Sequence, residues 1–337
     1  MRVLVTGAAG FLGRATVASA LAAGHEVVAL RRPESPPPEG EQAPGLVWIS
    51  GDLRQPGKWC AALSGIEGVI HCAAAASGDL ATQLGGTVLA TENLLAALPA
   101  GLERLVHVSS FSVYDFDGPG LFGTLSEDTP LEVRPLRRDA YTQTKLIQER
   151  LVRDFAARKH VPLVVARPGA IYGPGKTWDC GRGLAIGRLD LILAPFARMR
   201  LIHVDNCADE LVAALTAPIK GELIVNLVDP EQPSHWRFHH LARRAGMPVG
   251  VGIPVPYALI LSLGVAARVA SRLFFRGRAR LPELLDPPRQ RVRWRSLRYS
   301  RARARAVLGV SRRVSLAAGI AAMVSNPAVK GRTSKGE

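Results

Sequence analysis

Three features predict an α/β fold built on a doubly wound parallel sheet, with a smaller, mainly helical C-terminal lobe. They are apolar strands alternating with helices, a glycine-rich turn after the first strand, and the loss of that alternation after Gly173. Short β-branched runs occur at Arg2–Val5, Glu26–Leu30, Leu46–Ile49, Gly68–His71, Arg104–Val108, Pro162–Ala166 and Glu222–Asn226. Helical patterns at Phe11–Ala23, Gly57–Leu63, Asp79–Leu98, Ala140–Lys159 and Asp205–Ala217 separate most of them. Strands buried on both faces need helices on both faces, and right-handed crossovers then wind the sheet in both directions. Arg32–Pro44 and Asp115–Pro135 read as surface loops because of their Pro and Gly content.

A chain of 337 residues suits two lobes sharing an interface. The expected division gives residues 1–173 and 201–226 to dinucleotide binding, and 174–200 and 227–337 to substrate. Cys60, Cys72, Cys180 and Cys207 lack metal-ligand spacing, so no metal site is expected and the thiols read as reduced packing residues. With an N-terminus that enters a strand at once, the expected location is the cytoplasm. No run of 18 uncharged apolar residues suggests a membrane span. The closest is Tyr257–Ala267, ended by Arg268. Net charge is +15, yet 15 arginines against Glu283 and Asp286 place 13 of those charges between Arg268 and Arg313. A local basic surface of this kind argues against a general nucleic-acid binder.

The segment Thr6-Gly7-Ala8-Ala9-Gly10-Phe11-Leu12-Gly13 closes the first strand and opens the first helix. Glycines here allow a tight turn, a close approach of backbone to a pyrophosphate, and close packing of helix on sheet. The phosphate charge then meets free N–H groups at the helix N-terminus. An ordinary Gly-rich turn is the plain alternative, but the position within a first βαβ unit favours a Rossmann-type cofactor site. The second strand ends Ala29-Leu30-Arg31-Arg32, with no carboxylate to hold the adenosine ribose hydroxyls. Guanidinium groups suit a 2′-phosphate, so NADP is expected, with NAD as the alternative. Tyr141 and Lys145 lie four apart on a predicted helix, which puts phenol and ammonium on one face. A lysine charge there would lower the tyrosine pKa, and the ammonium could also reach the nicotinamide ribose.

The glycine spacing is GxxGxxG, and at this point the chain resembles the extended short-chain dehydrogenase/reductase family, also called the NAD-dependent epimerase/dehydratase family. The resemblance runs from Met1 to about Ala217 and returns weakly near Tyr299–Ile320. Gly51-Asp52-Leu53 resembles the family's adenine-contacting Asp-Leu pair. His71-Cys72-Ala73-Ala74 resembles its His-x-Ala-Ala strand end under the cofactor. Arg167-Pro168 through Tyr172-Gly173-Pro174 resembles the segment beside the nicotinamide, and His203-Val204-Asp205 the return to the core domain. Val108-Ser109-Ser110-Phe111-Ser112-Val113-Tyr114 resembles the Ser-Ser-x-x-Val-Tyr segment, which implies Ser110 as the catalytic serine, with Ser109 and Ser112 close by. The resemblance thus implies Ser110, Tyr141 and Lys145 as catalytic. It implies Gly7, Gly10, Phe11, Leu12, Gly13, Arg31, Arg32, Asp52, Leu53, His71, Ala73, Thr87, Tyr141, Lys145 and Pro168 as the cofactor set. Thr87 departs from the pattern, standing where the family commonly has asparagine.

Tyr257–Phe275 and the terminal Tyr299-Ser300…Leu308-Gly309 pattern resemble the 3β-hydroxysteroid-dehydrogenase-like branch, which implies a ketone or secondary alcohol on a rather apolar substrate. A packed lid helix explains Tyr257–Phe275 as well. The alternatives to an oxidoreductase are a sugar-nucleotide epimerase or dehydratase retaining its NAD, and a non-catalytic cofactor sensor. Expected partners are a small-molecule substrate, a second copy as a homodimer, and a membrane surface met peripherally through the basic C-terminal lobe. Nucleic acid is not expected.

Overall fold

The computed structural model describes residues 1–35, 42–120, 122–176, 184–276, 282–310 and 313–325. Thr177, Trp178 and Cys180 lie outside them, as do Arg278, Arg280 and Arg312 of the basic stretch. The N-terminal elements are β1 (Arg2–Thr6), α1 (Phe11–Ala22), β2 (Glu26–Arg31), β3 (Leu46–Ser50), β4 (Gly68–His71), α2 (Leu80–Gln83) and α3 (Ala90–Ala97). Next come β5 (Arg104–Val108), β6 (Thr124–Leu125), α4 (Ala140–Lys159), β7 (Leu163–Pro168), β8 (Ala170–Tyr172), β9 (Leu184–Ile186), β10 (Leu189–Leu193) and β11 (Leu201–His203). The chain continues through α5 (Val204–Thr216), β12 (Glu222–Leu227), α6 (His235–Arg244), β13 (Val251–Val255) and α7 (Tyr257–Phe275). It closes with α8 (Pro287–Trp294), β14 (Arg298–Tyr299), α9 (Ala302–Leu308) and α10 (Leu316–Ser325).

Seven parallel strands form the central sheet in the order β12-β7-β5-β4-β1-β2-β3. The winding reverses between β1 and β4, and a crevice outside the carboxyl ends of such strands is where an open α/β sheet takes its ligand. Strand periodicity sorts the core into two layers. Val3 and Val5 face α1 and α5 and join Ile70, Val106 and Leu211. Leu4 faces the other way, with Val69, Leu105, Leu94 of α3 and Val152 of α4. Fully burying one such aliphatic side chain stabilises the fold by roughly 1.5–3 kcal/mol.

All seven strands read from the sequence are in this sheet. Two of the predicted helices differ. Gly57–Leu63 forms a 3-10 turn over Lys58–Leu63, held by the buried Trp59. Its ring lies against Gly51, whose place no larger residue could take: a Cβ there would sit 2.5 Å from the indole. Asp79–Leu98 divides into α2, a π-helical turn at Leu84–Leu89 and α3. A Cβ at Gly86, inside that turn, would lie 2.9 Å from the Ala75 side chain, so the wide turn brings the helix against the chain leaving β4. Turns of this kind often mark functional segments.

The C-terminal elements are mostly helices, but β13, β10 and β9 add a small sheet in that order, and β11 pairs with β8. These strands are too short for a clear period in the sequence. The Tyr257–Phe274 stretch of α7 is long and apolar enough to cross a membrane by length and composition alone, with a mean hydropathy of 1.4, although it is not free of charge, since it holds Arg268 and Arg272.

Candidate active site

The cofactor end is built by backbone. Gly7 adopts φ 65° and its carbonyl accepts from Gly10 N at 2.9 Å. A Cβ on Gly13 would fall 2.1 Å from the Gly7 oxygen, so only glycine lets α1 begin so close to β1. Gly10 caps α1 without a side-chain hydrogen bond, and the first turn carries no acidic residue. The helix therefore keeps N–H groups and a positive dipole end for an anion, which fits a pyrophosphate. Lys176 Nζ stands 5.3 Å above the Phe11 ring, where burial lowers its pKa. The sequence analysis gives Lys176 no role; only the fold shows it returning to this loop. Thr6 Oγ1 accepts from Ala73 N at 3.2 Å and is hydrogen bonded to His71 Nδ1 at 2.7 Å, tying the ends of β1 and β4 together.

The far end of the crevice is more open. Arg31 closes β2, with Nη1 donating to Ser35 O at 2.8 Å and Arg32 O at 3.3 Å, while its buried Nε has no partner among the described residues. Arg32 is exposed. The Asp52 carboxylate is held by Arg54 at 2.6 Å, and that hydrogen bond is the main reason its pKa is lowered. Leu53 is buried and its carbonyl accepts from Asn93 Nδ2 at 2.9 Å.

Ser110 and Tyr141 meet over the crevice. Ser110 caps a 3-10 turn at Phe111–Val113, its Oγ accepting from Ser112 N at 3.1 Å. Asp139 caps α4 by accepting from Thr142 N at 2.7 Å, which fixes the turn carrying Tyr141. Burial raises the phenol pKa, and the neighbouring Ser110 side chain opposes that rise. The lowering by Lys145 that the sequence predicts is not what governs the phenol here. Lys145 Nζ donates to Val108 O at 2.7 Å and to Gln148 Oε1 at 2.8 Å, and burial brings its own pKa down to about 8. The serines separate cleanly: Ser109 Oγ donates to Glu149 Oε2 within the core, leaving Ser110 at the crevice.

Beneath lies a polar layer that the sequence reading missed. Gln148 Nε2 donates to Thr91 Oγ1 at 2.8 Å and Ala73 O at 3.1 Å, and lies 3.1 Å from His71 Nε2. His71, expected against the cofactor, is instead interior, and burial drives its pKa down to about 3. Thr87, also interior, accepts from Ala75 N at 3.0 Å on the π turn. Glu149 pairs with Arg167, whose guanidinium sits 4.6 Å over the Tyr114 ring, and Tyr114 donates to Asn226 Oδ1 at 2.6 Å. A signal was present: Tyr141, Lys145, Gln148 and Glu149 fall on one helix face, and polar residues on a face that must be core ask for buried partners. Pro168 is buried at the end of β7. Among the described residues no His, Cys, Asp and Glu cluster could hold a metal.

Comparison with known proteins agrees with this geometry. A sequence model described as the NAD dependent epimerase/dehydratase family matches residues 3–227. A 2-alkyl-3-oxoalkanoate reductase of Stenotrophomonas maltophilia is 32% identical over 215 residues, covering 62% of this chain and 63% of that protein. A 3-beta-hydroxysteroid dehydrogenase of Mycolicibacterium neoaurum is 32% identical over 184 residues, covering 52% and 48%. The chain thus spans between about half and two thirds of the length of these relatives. The solved structure of MoeE5 in complex with UDP-glucuronic acid and NAD is similar with a TM-score of 0.69 at 26% identity, over 99% of this chain and 100% of that one.

Proposed function

The chain belongs to the NAD dependent epimerase/dehydratase family, and from that premise we propose an NADP-preferring oxidoreductase acting on a ketone or secondary alcohol of a small, rather apolar substrate. That it is an NAD(P)-dependent enzyme of the extended short-chain dehydrogenase/reductase type follows from membership. We assign the dinucleotide to residues 1–173 and 201–226, and the substrate to 174–200 and 227–337. The carrying observation is the Ser110 side chain beside the Tyr141 phenol, with Lys145 buried on the same helix.

The dinucleotide, when bound, gives or takes the hydride at its nicotinamide. Gly7, Gly10 and Gly13 hold the pyrophosphate against α1, and Arg31 and Arg32 take the adenosine 2′-phosphate. Ser110 Oγ donates to the substrate oxygen as negative charge develops there. Tyr141 exchanges the proton with that oxygen. A phenol whose pKa is raised stays protonated, which suits proton donation and therefore reduction. An ammonium has three donors, and Val108 and Gln148 occupy two of those of Lys145, leaving one for a ribose hydroxyl. The names of the two relatives, a reductase and a steroid dehydrogenase, support the same chemistry.

The test is NADPH consumption with 3-oxoalkanoates, sterol ketones and UDP-sugars. Turnover with either of the first two supports the reading. Activity confined to UDP-sugars, with NAD retained through purification, would replace it by an epimerase. Arg31→Asp should lower the NADP-to-NAD affinity ratio by at least tenfold, since a charge-assisted hydrogen bond is worth about 1.5–3 kcal/mol. An unchanged ratio, measured by fluorescence titration, would show that the guanidinium only ties down its own loop.

A further inference from the structure

Helix α7 carries its apolar side chains on the wrong side for a surface helix of a soluble protein. Its inward stripe is Ile260, Gly264 and Ser271. A Cβ at Gly264 would meet Gln290 Nε2 at 2.5 Å and Leu285 O at 3.0 Å, so the contact with α8 and the turn before it fixes which face looks in. Leu259, Leu263, Val265, Val269 and Leu273 look out and are 48–73% exposed.

The strand that leads into α7 repeats the pattern. β13 pairs with β10 and β10 with β9, in a register that sets Ile186, Leu189 and Val251 side by side. All three are exposed, while Asp190 and Ile192 on the other face are buried. Arginines border these apolar surfaces. Arg268 and Arg272 flank the outer face of α7, Arg276 caps it, and Arg188 sits in the β9–β10 hairpin. Arg188, Arg272 and Arg276 are exposed, with no ion pair among the described residues.

We propose that this face docks on an anionic bilayer surface, with the outer side of α7 in the headgroup–acyl boundary and the arginines on lipid phosphates. Two arguments choose this occupant. A second copy across a two-fold axis would set the same arginine flank against itself, whereas anionic headgroups complement it. A spanning helix would carry Arg268 and Arg272 into the hydrocarbon and strip away the contact at Gly264, so the helix lies along the surface.

The test is flotation of the full chain with phosphatidylcholine vesicles, with and without one third phosphatidylglycerol, at low and high salt. Binding should appear with phosphatidylglycerol at low salt and fall at least tenfold at high salt. Arg272→Gln with Arg276→Gln should weaken it roughly twenty-five-fold, at about fivefold per arginine. Leu263→Gln with Leu273→Gln should also weaken it, with the thermal midpoint and circular dichroism unchanged to show that the variant folds. Lack of binding to the anionic vesicles at low salt would overturn the proposal. So would a concentration-dependent dimer in sedimentation velocity that the Leu263→Gln, Leu273→Gln variant abolishes, because the face would then belong to a second copy.

Discussion

Helices α5 and α7 are both apolar and both lie on the outside of their sheets, yet they use their side chains in opposite ways. α5 buries Cys207, Leu211, Val212 and Leu215 against the parallel sheet. α7 leaves Leu259, Leu263 and Leu273 in the open and turns Gly264 and Ser271 inward. The first helix belongs to a region of closed apolar layers, with a hydrogen-bonded polar cluster beneath the crevice. The second belongs to a region whose apolar surface remains open. Changes of one residue should therefore be felt strongly in the first region and weakly in the second, unless something covers the second in solution.

The largest effect is expected at Tyr141. Tyr141→Phe keeps the ring and removes only the proton donor, so turnover should fall about 10²–10⁴-fold while the cofactor dissociation constant stays within about threefold. Steady-state rates with fluorescence titration measure both. A loss below tenfold would move the proton transfer to another group.

Next is the buried pair under the crevice. Glu149→Gln leaves Arg167 charged and unpaired, at a cost of about 3–5 kcal/mol in urea unfolding. Replacing both, as Glu149→Leu with Arg167→Met, should cost less than the single change, because no uncompensated charge remains. A double variant less stable than the single one would show that the hydrogen bond to Ser109 and the stacking on Tyr114 matter more than the charge balance.

His71 gives a smaller, pH-graded effect. Its imidazole titrates near 6.5 when unfolded and near 3 in the fold, where burial keeps it neutral. Between those values the unfolded chain binds a proton that the folded chain refuses. The stability contributed here is complete above pH 6.5 and is lost as pH falls towards 3, by up to about 1.4 kcal/mol per unit. His107, also kept neutral by burial, adds in the same direction. Urea midpoints at pH 7, 6 and 5 should fall, and His71→Asn should make the fall shallower. An equal slope in the variant would place the titration elsewhere.

What the sequence disclosed follows the same divide. In the parallel-sheet region, period located every strand and glycine spacing the turn before α1, because local pattern and burial agree there; Ser110 came from the resemblance of its segment, and Tyr141 with Lys145 from their spacing on one helix face. Gln148 and Thr91 were not legible, since their partners lie 57 residues apart and only the sheet brings them together. The lysine effect on Tyr141 was misjudged because the sharing of Nζ between Val108 O and Gln148 depends on tertiary geometry. For α7 the extent was read correctly, but which side faces out was not. A helix apolar on most sides has no period to reveal it, and the answer rests on one close contact at Gly264.

The smallest effect is the one that tests the comparison itself. Leu211→Ala in α5 should cost about 2–5 kcal/mol, because the side chain is fully buried and its removal leaves a cavity. Leu263→Gln in α7 should change stability by no more than about 0.5 kcal/mol, since its side chain is half exposed and glutamine is nearly as good a helix former. Urea unfolding of the two variants at low micromolar and at tenfold higher protein concentration separates intrinsic burial from covering by another copy. A cost above about 2 kcal/mol for Leu263→Gln at both concentrations would mean that α7 packs against its own chain in solution, and the contrast with α5 would disappear. A cost that grows with concentration would mean that association buries the leucine. A near-zero cost at both leaves α7 as an open apolar face on a stable fold, the condition under which a lipid surface can take it up without the protein having to rearrange.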